Sequence, residues 1–233
     1  MLTNQTSTKT HRRGFLGLLA GGAAALGWSA ISNPLNAGAA VIQPSNAASE
    51  AESWINKIKG TQKAVFDATR PHELFPFAWP RVFLLTNEKT GVMPDDCGVV
   101  IVLRHSAIAY AFESKLWSDY KFGEVFGAND PKTKAPALRN PFWKPAKGDF
   151  KIPGVGEVAI GIDELQQSGV MFCVCETAMT VYSAVVAEKM QKDPAAVRAD
   201  WVSGMLPGIQ QVPSGVWAIG RAQQKGCAYI FTG

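Results

Sequence analysis

Two cysteines lie close together at the end of the most apolar segment of this chain. Cys173 and Cys175 belong to the run 169–175, and Glu176 begins a stretch with helical spacing that continues to about residue 190. An apolar run of this length indicates a buried strand. Cys175 is therefore predicted where a strand ends and a helix N-terminus favours the thiolate. It is a candidate nucleophile, and a packing thiol is the alternative because free cysteine is often buried.

Five further residues are candidates to assist Cys175 at the carboxyl edge of a parallel sheet. His105 follows a predicted strand and could stabilise a thiolate or act as a general acid or base; a structural histidine is the alternative. Ser214 and Gly215 begin a predicted helix, where backbone N–H groups could bind an anion, and an ordinary N-cap serine is the alternative. Arg104 and Arg139 would add positive charge to such a site, or form ion pairs elsewhere.

The other ionisable candidates are assigned structural roles. Asp67 ends a short predicted strand and is interpreted as a cap or turn residue. Cys173 is expected on the same face of its strand as Cys175, but deeper in the core. Cys97 and Cys227 adjoin other predicted strands and are also expected to pack.

Motifs for common cofactors are absent from the sequence. There is no Gly-x-Gly-x-x-Gly, no Walker loop and no Cys-x-x-Cys-His, so nothing predicts a dinucleotide, a nucleoside triphosphate or a covalently attached haem. A soft metal or haem iron held by His105 with Cys173 or Cys175 is the alternative to having no cofactor.

Short strands alternate with helices along the chain. The predicted strands cover residues 63–67, 98–103, 169–175, 208–212 and 227–231. The predicted helices cover a proline-interrupted segment over 72–92, then 107–120, 162–167, 176–190 and 216–224. This alternation predicts an α/β domain with a parallel sheet covered on both faces. Residues 121–156 contain five prolines and are predicted to form a long functional or packing loop.

The N-terminal residues match an export signal. Arg12 and Arg13 precede a spaced Phe-Leu pair, a Gly/Ala-rich stretch follows, and a small-x-small cleavage site ends at Ala39. This is typical of the twin-arginine pathway, and a transmembrane anchor is the alternative. The predicted organisation is a signal peptide over residues 1–39, a flexible leader over 40–59 and one domain over 60–233.

The charge balance argues against a nucleic-acid partner. Of the 23 basic residues, three lie in the predicted signal, which leaves 20 against 19 acidic residues and a net charge of +1. Nucleic-acid binding would need a basic patch or stripe. No second long apolar run occurs, so we expect no stable membrane span after processing.

Several segments of the chain resemble the DsrE/DsrF-like family of sulfur-relay proteins, in particular its exported branch with twin-arginine signals. The segments that carry the resemblance are residues 100–105, 116–120, 135–142, 169–175, 212–219 and 226–230. Together they extend over roughly residues 60–233.

The resemblance implies a DsrE-like three-layer sandwich whose five-stranded, mainly parallel sheet has the strand order 2-1-3-4-5. It also implies a transient persulfide on Cys175, with His105 at the end of the second strand. We therefore expect a periplasmic sulfur- or thiol-handling protein, acting as a carrier or as a sulfurtransferase-like enzyme. A non-catalytic ligand-, metal- or haem-binding module and a structural protein that forms oligomers are the alternatives.

The expected partners follow from the same resemblance and from the proline-rich insertion. They are a sulfur donor or acceptor protein, or a small sulfur compound, together with further copies of this chain. The insertion 121–156 is expected to contact those copies through Phe142 or Trp143, because aromatic side chains are frequent anchors of interfaces.

Overall fold

The computed structural model describes residues 46–233, so the predicted signal peptide and residues 40–45 lie outside the described residues. A five-stranded sheet, parallel throughout, forms the centre of this part of the chain. The strands are β1 (Gln62–Ala68), β2 (Cys97–Leu103), β3 (Lys151–Ile152), β4 (Gly156–Glu157), β5 (Met171–Cys175), β6 (Ile209–Val212) and β7 (Ala228–Phe231). The short β3 and β4 pair antiparallel, apart from the main sheet.

Helices and irregular segments connect the strands. The helices are α1 (Asn46–Ile55), α2 (Phe75–Lys89), α3 (Ser114–Asp119), α4 (Phe122–Val125), α5 (Ile162–Gln167), α6 (Glu176–Met190), α7 (Pro194–Ser203) and α8 (Gly215–Gln224). Two 3₁₀ segments, Pro94–Asp96 and His105–Ala111, flank β2. Within residues 46–233, no helix is long and apolar enough to cross a membrane.

The central strand β2 shows how the sheet is buried on both faces. Val100 and Val102 pack in one apolar cluster with residues of α1 and α8. Val99, Ile101 and Leu103 pack in the other cluster with residues of α2, α6 and α7. Because successive side chains point to opposite faces, an uninterrupted apolar strand needs cover on both sides. The predicted α/β class and three-layer architecture are confirmed.

The expected strand order 2-1-3-4-5 is wrong. The observed order is β6-β5-β2-β1-β7, so β2, which precedes His105, pairs directly with β5, which ends at Cys175, and β1 does not lie between them. The connections that contain α2, α6 and α7 bury side chains on the same face of the sheet, and right-handed crossovers on one face advance in one direction. Only α8, on the opposite face, returns the chain to place β7 beside β1.

The leader predicted over 40–59 is wrong for the residues that the structure describes. Residues 46–55 form α1, which contacts β6 and α8. Ala51, Trp54, Ile55 and Ile58 of this region are buried in the cluster beneath it. The polar composition concealed an amphipathic helix, since only its apolar face needs apolar residues.

The helix predicted over 107–120 is also wrong in form. A 3₁₀ segment covers His105–Ala111, Phe112 is extended and bridges Met205, and α3 begins only at Ser114. The 3₁₀ segment is fully buried from Ala107 onward, and tertiary packing therefore overrides the helical spacing of its apolar residues.

The insertion 121–156 is largely irregular, as predicted, but it folds back on its own chain. Asn140 is fully buried, and its side-chain amide donates to the carbonyl oxygens of Tyr110 and Phe112, both at 2.9 Å. Phe142 is fully buried against Phe77 and Phe150. Phe142 therefore cannot make the expected contact with a second copy, because its ring already fills the core, and the alternative contact through the half-buried Trp143 stays a prediction.

Candidate functional site

Cys175 is the last residue of β5 and the N-cap of α6. Its Sγ accepts a hydrogen bond from the backbone N–H of Ala178 at 3.3 Å, and the residue is 7% exposed. The pairing of Leu103 with Val174 places Cys175 next to residue 104 across the strands. The predicted position at a strand end and a helix N-terminus is confirmed, although the thiol is more enclosed than an edge position suggests.

Arg104 supplies the positive charge beside this thiol. Its guanidinium Nε and Nη2 donate to the two carboxylate oxygens of Asp67 at 2.6 and 2.8 Å, and the hydroxyl of Tyr229 donates to Asp67 Oδ2 at 2.8 Å. Asp67 is 1% exposed, whereas the Arg104 side chain is 28% exposed. The buried carboxylate thus anchors a partly exposed cation, in the bidentate geometry that arginine favours.

The interaction with Asp67 keeps Arg104 positively charged. The hydrogen bond to Asp67 raises the pKa of the Arg104 guanidinium, and the Asp67 and Cys175 charges raise it further, against burial, which lowers it. The separate hydrogen bond that the Tyr229 hydroxyl donates to Asp67 raises the pKa of Tyr229, so the phenol stays protonated and acts as a donor. Arg104 is therefore cationic beside Cys175 throughout the physiological range of pH.

The N-terminus of α8 closes one side of Arg104. Ser214 is the N-cap, and its Oγ accepts from the backbone N–H of Trp217 at 3.2 Å. A Cβ on Gly215 would lie 2.6 Å from the Cβ of Arg104, so only glycine permits this approach. We call Asp67, Arg104, Cys175, Gly215 and Tyr229 the carboxyl-edge site.

His105 borders the carboxyl-edge site but points to a different neighbour. The residue is exposed and has a left-handed backbone, with φ of 50°. The Tyr182 hydroxyl lies 3.3 and 3.2 Å from its Nδ1 and Nε2, and Ser106 Oγ lies 3.3 Å from Nδ1. Desolvation and the charge of Arg104 lower the pKa of His105. An imidazolium that stabilises the thiolate at neutral pH, as the sequence suggested, is not favoured here.

The other cysteines lie in less reactive surroundings. Burial raises the pKa of Cys173, which is fully buried, and it likewise raises the pKa of Cys97 and Cys227. Cys173 packs in the cluster beneath α1 and α8, whereas Cys175 packs in the opposite cluster. The expectation that both thiols share a face is wrong, because the chain leaves the strand at Cys175 to begin α6.

Arg139 is placed within the insertion, where it forms an ion pair with Asp130 at 3.7 Å. Of the predicted anion-binding residues, the structure therefore brings Arg104, Ser214 and Gly215 together and gives Arg139 a different partner. In residues 46–233, no group of three or more His, Cys, Asp or Glu side chains could hold a metal ion.

Sequence reasoning missed two parts of the site. Asp67 was assigned to a turn, but it lies inside β1 with its side chain buried. A charged residue within an otherwise apolar strand was the available signal, because buried charges require a partner. The role of Tyr229 had no sequence signal, since its partner is 162 residues away.

Comparison with known proteins adds no identification. No model of a known protein family matches this chain, and no curated protein matches it. The resemblance to the DsrE/DsrF-like family stays a prediction.

Proposed function

We propose that this protein handles sulfur or thiols outside the cytoplasm and carries sulfur as a persulfide on Cys175, in the manner of DsrE-like proteins. The observation that supports this best is the placement of Cys175. It caps a helix of 15 residues, and its backbone lies next to that of the cationic Arg104, whereas burial raises the pKa of the other three thiols. Hydrogen bonds and positive charge at a helix N-terminus favour the thiolate, which is the nucleophilic form.

The proposed transfer is a thiol–persulfide exchange. The Cys175 thiolate attacks the outer sulfur of a low-molecular-weight persulfide, R–S–SH. The S–S bond of the donor breaks, R–S⁻ leaves, and Cys175 becomes Cys–S–SH. The exchange is neither an oxidation nor a reduction overall, so it needs no further reactant. Arg104 is positioned to stabilise the negative charge on the attacking sulfur.

The partners in this proposal are a sulfur donor and an acceptor, each a protein or a small sulfur compound. Assembly with further copies of the chain belongs to the same proposal. Exposed apolar side chains of α2 offer a surface for such assembly in place of the buried Phe142, namely Trp79, Val82 and Leu85.

The test is loading of the full-length protein with a persulfide donor, followed by peptide mass spectrometry. Wild type should gain one sulfur atom on Cys175, and a thiol reductant should remove it. Cys175→Ser should abolish the gain and stay folded, because a serine Oγ can accept the same N–H of Ala178 and serine is a favoured N-cap.

Cys97→Ser is the matched control. Cys97 is the first residue of β2 and lies at the amino end of that strand, away from the carboxyl-edge site. This variant should load like wild type. Loading at another cysteine, or no loading of folded wild type, would contradict the proposal. A ligand-binding or structural role would then be the better interpretation.

A further inference from the structure

The carboxylate of Asp67 is almost completely buried, yet two side chains, Arg104 and Tyr229, converge on it. We propose that Asp67, held by Tyr229, is a positioning residue that fixes the guanidinium of Arg104 beside Cys175 and so sets the reactivity of that thiol. The inference rests on the proposed function for its biological meaning, but it concerns two residues that the proposed transfer does not itself use.

The geometry of the carboxylate supports this role. Asp67 is almost completely buried, and an ionised carboxylate in such a place is costly unless it is paired. Both of its oxygens are engaged: Oδ1 accepts from Arg104 Nε, and Oδ2 accepts from Arg104 Nη2 and the Tyr229 hydroxyl. Two parallel bonds to one guanidinium define the plane as well as the position of that group.

The backbone around the carboxylate is fixed in turn. The N–H and the hydroxyl of Thr232 both donate to the main-chain oxygen of Asp67, at 3.1 and 3.0 Å. On the other side, the Cα of Gly215 lies against the stem of Arg104. The guanidinium is therefore held between β1, β7 and α8.

The arrangement leaves Arg104 able to act on Cys175. A guanidinium has five N–H donors, and the bonds to Asp67 use two of them. The side chain is partly exposed, the register places the backbone of residue 104 beside Cys175, and the charge of Cys175 acts on the guanidinium. A rigid cation at this position lowers the energy of a nearby anionic sulfur without the entropic cost of ordering a mobile arginine.

A purely electrostatic role of Asp67 and a positioning role predict opposite changes in thiolate stability when Asp67 loses its charge. If charge alone mattered, Asp67→Asn would remove an anion near Cys175 and make the thiolate more stable. If Asp67 positions Arg104, the substitution releases the guanidinium and makes the thiolate less stable. The sign of the effect therefore separates the two accounts.

Other charged groups near Cys175 stay the same in this comparison. Glu176 follows it in α6 and pairs with Arg198 of α7 at 3.6 Å. His105 follows Arg104 and contacts Tyr182 of α6. Asp67→Asn, Arg104→Lys and Tyr229→Phe leave these side chains in place and keep the positive charge beside His105.

The experiment measures the rate of iodoacetamide alkylation of Cys175 in the full-length protein between about pH 5 and about pH 9, the range in which activated and ordinary thiols ionise. Each modified peptide is quantified by mass spectrometry. Asp67→Asn and Arg104→Gln should each lower the rate at pH 7 by about tenfold. The profiles should converge at high pH, where every variant is ionised.

Three further variants separate the effect of orientation from the effects of charge and stability. Arg104→Lys keeps the charge but loses the bidentate geometry, so it should shift the profile nearly as far as Arg104→Gln. Tyr229→Phe removes one hydrogen bond to Asp67 and should give a smaller shift in the same direction. Asp95→Asn, an exposed aspartate before β2, removes the same charge away from the site and should leave the profile unchanged.

Defined outcomes would overturn the inference. A faster or unchanged rate in folded Asp67→Asn would show that Asp67 does not position Arg104. If that variant fails to fold, which rapid alkylation of Cys173 would reveal, an unchanged profile in both Arg104→Lys and Tyr229→Phe would overturn it equally. The measurement uses no sulfur donor, so it can succeed while persulfide loading fails, and the proposed function can then be rejected separately.

Discussion

Arg104 and His105 are adjacent in the chain but have opposite electrostatic character. Arg104 is held cationic by a buried carboxylate, whereas desolvation and the neighbouring guanidinium lower the pKa of His105. The cation next to Cys175 is consequently the arginine, and the histidine is neutral at pH 7. The neutral imidazole contacts the Tyr182 hydroxyl, which stays protonated because burial raises its pKa to about 12.

The charge state of His105 can be measured by following its imidazole protons by NMR as the pH is varied. We expect a titration midpoint below the ordinary value of 6.5, and Arg104→Gln should move it towards that value by removing a repulsive charge. His105→Asn identifies the signal by its loss, since asparagine tolerates the left-handed backbone. A wild-type midpoint at or above 6.5 would contradict the assignment.

The lowered pKa of His105 also determines how this residue's contribution to folding stability changes with pH. In the pH range between the lowered pKa and 6.5, the unfolded state binds more protons at His105 than the folded state. The contribution of His105 to stability is therefore present above the unfolded pKa and is lost as the pH falls through the folded pKa.

At the scale of single elements, helix starts are the features that position the site. Cys175 caps α6, Ser214 caps α8, and Asp193 caps α7 by accepting from the N–H of Ala196 at 2.8 Å. Two of these three caps lie at the carboxyl edge of the sheet. The α8 N-terminus adds a steric requirement as well, because its first residue must be glycine to lie against Arg104.

Gly215 and Gly220 provide a matched pair of substitutions within α8. A Cβ at Gly215 would collide with the Cβ of Arg104, whereas a Cβ at Gly220 meets nothing within 4 Å. Gly215→Ala should lower the free energy of unfolding by about 1–3 kcal/mol through overpacking. Gly220→Ala should raise it by about 0.5–1 kcal/mol through helix propensity. Urea unfolding measures both, and equal effects of the two substitutions would contradict the close packing of α8 on Arg104.

At the scale of the whole molecule, the side of the sheet on which each helix packs decides which residues meet. Since α2, α6 and α7 cover one face, β1, β2, β5 and β6 follow one another across the sheet. The return through α8 then places β7 beside β1. This order brings together Asp67 of β1, Tyr229 of β7 and the residue that follows β2.

The N-terminal helix α1 packs on β6 and α8. Substitutions in α1 should therefore change the stability of the whole domain. Ile55 is fully buried beneath the sheet, whereas Ser53 in the same helix is exposed. Ile55→Ala should lower the free energy of unfolding by about 2–5 kcal/mol, as for other large-to-small core substitutions. Ser53→Ala should change it by less than about 0.5 kcal/mol. Unfolding monitored by circular dichroism measures both, and a negligible effect of Ile55→Ala would instead support a loosely attached leader.

Local patterns in the sequence determined the alternation of strands and helices, the junction at Cys175 and the cap at Ser214. Each depends on residues within a few positions of one another, where periodicity and capping preferences act directly. The persulfide chemistry, the export route and the family resemblance stay predictions from the sequence.

Tertiary structure alone decided the strand order and the surroundings of Cys175. Asp67 is 37 residues from Arg104 and 162 residues from Tyr229, so no local pattern links them. Their meeting depends on the face that each connecting helix covers, and that choice is made by the packing of the complete core. The sequence therefore specified the thiol, and the fold supplied the buried carboxylate and the oriented cation beside it.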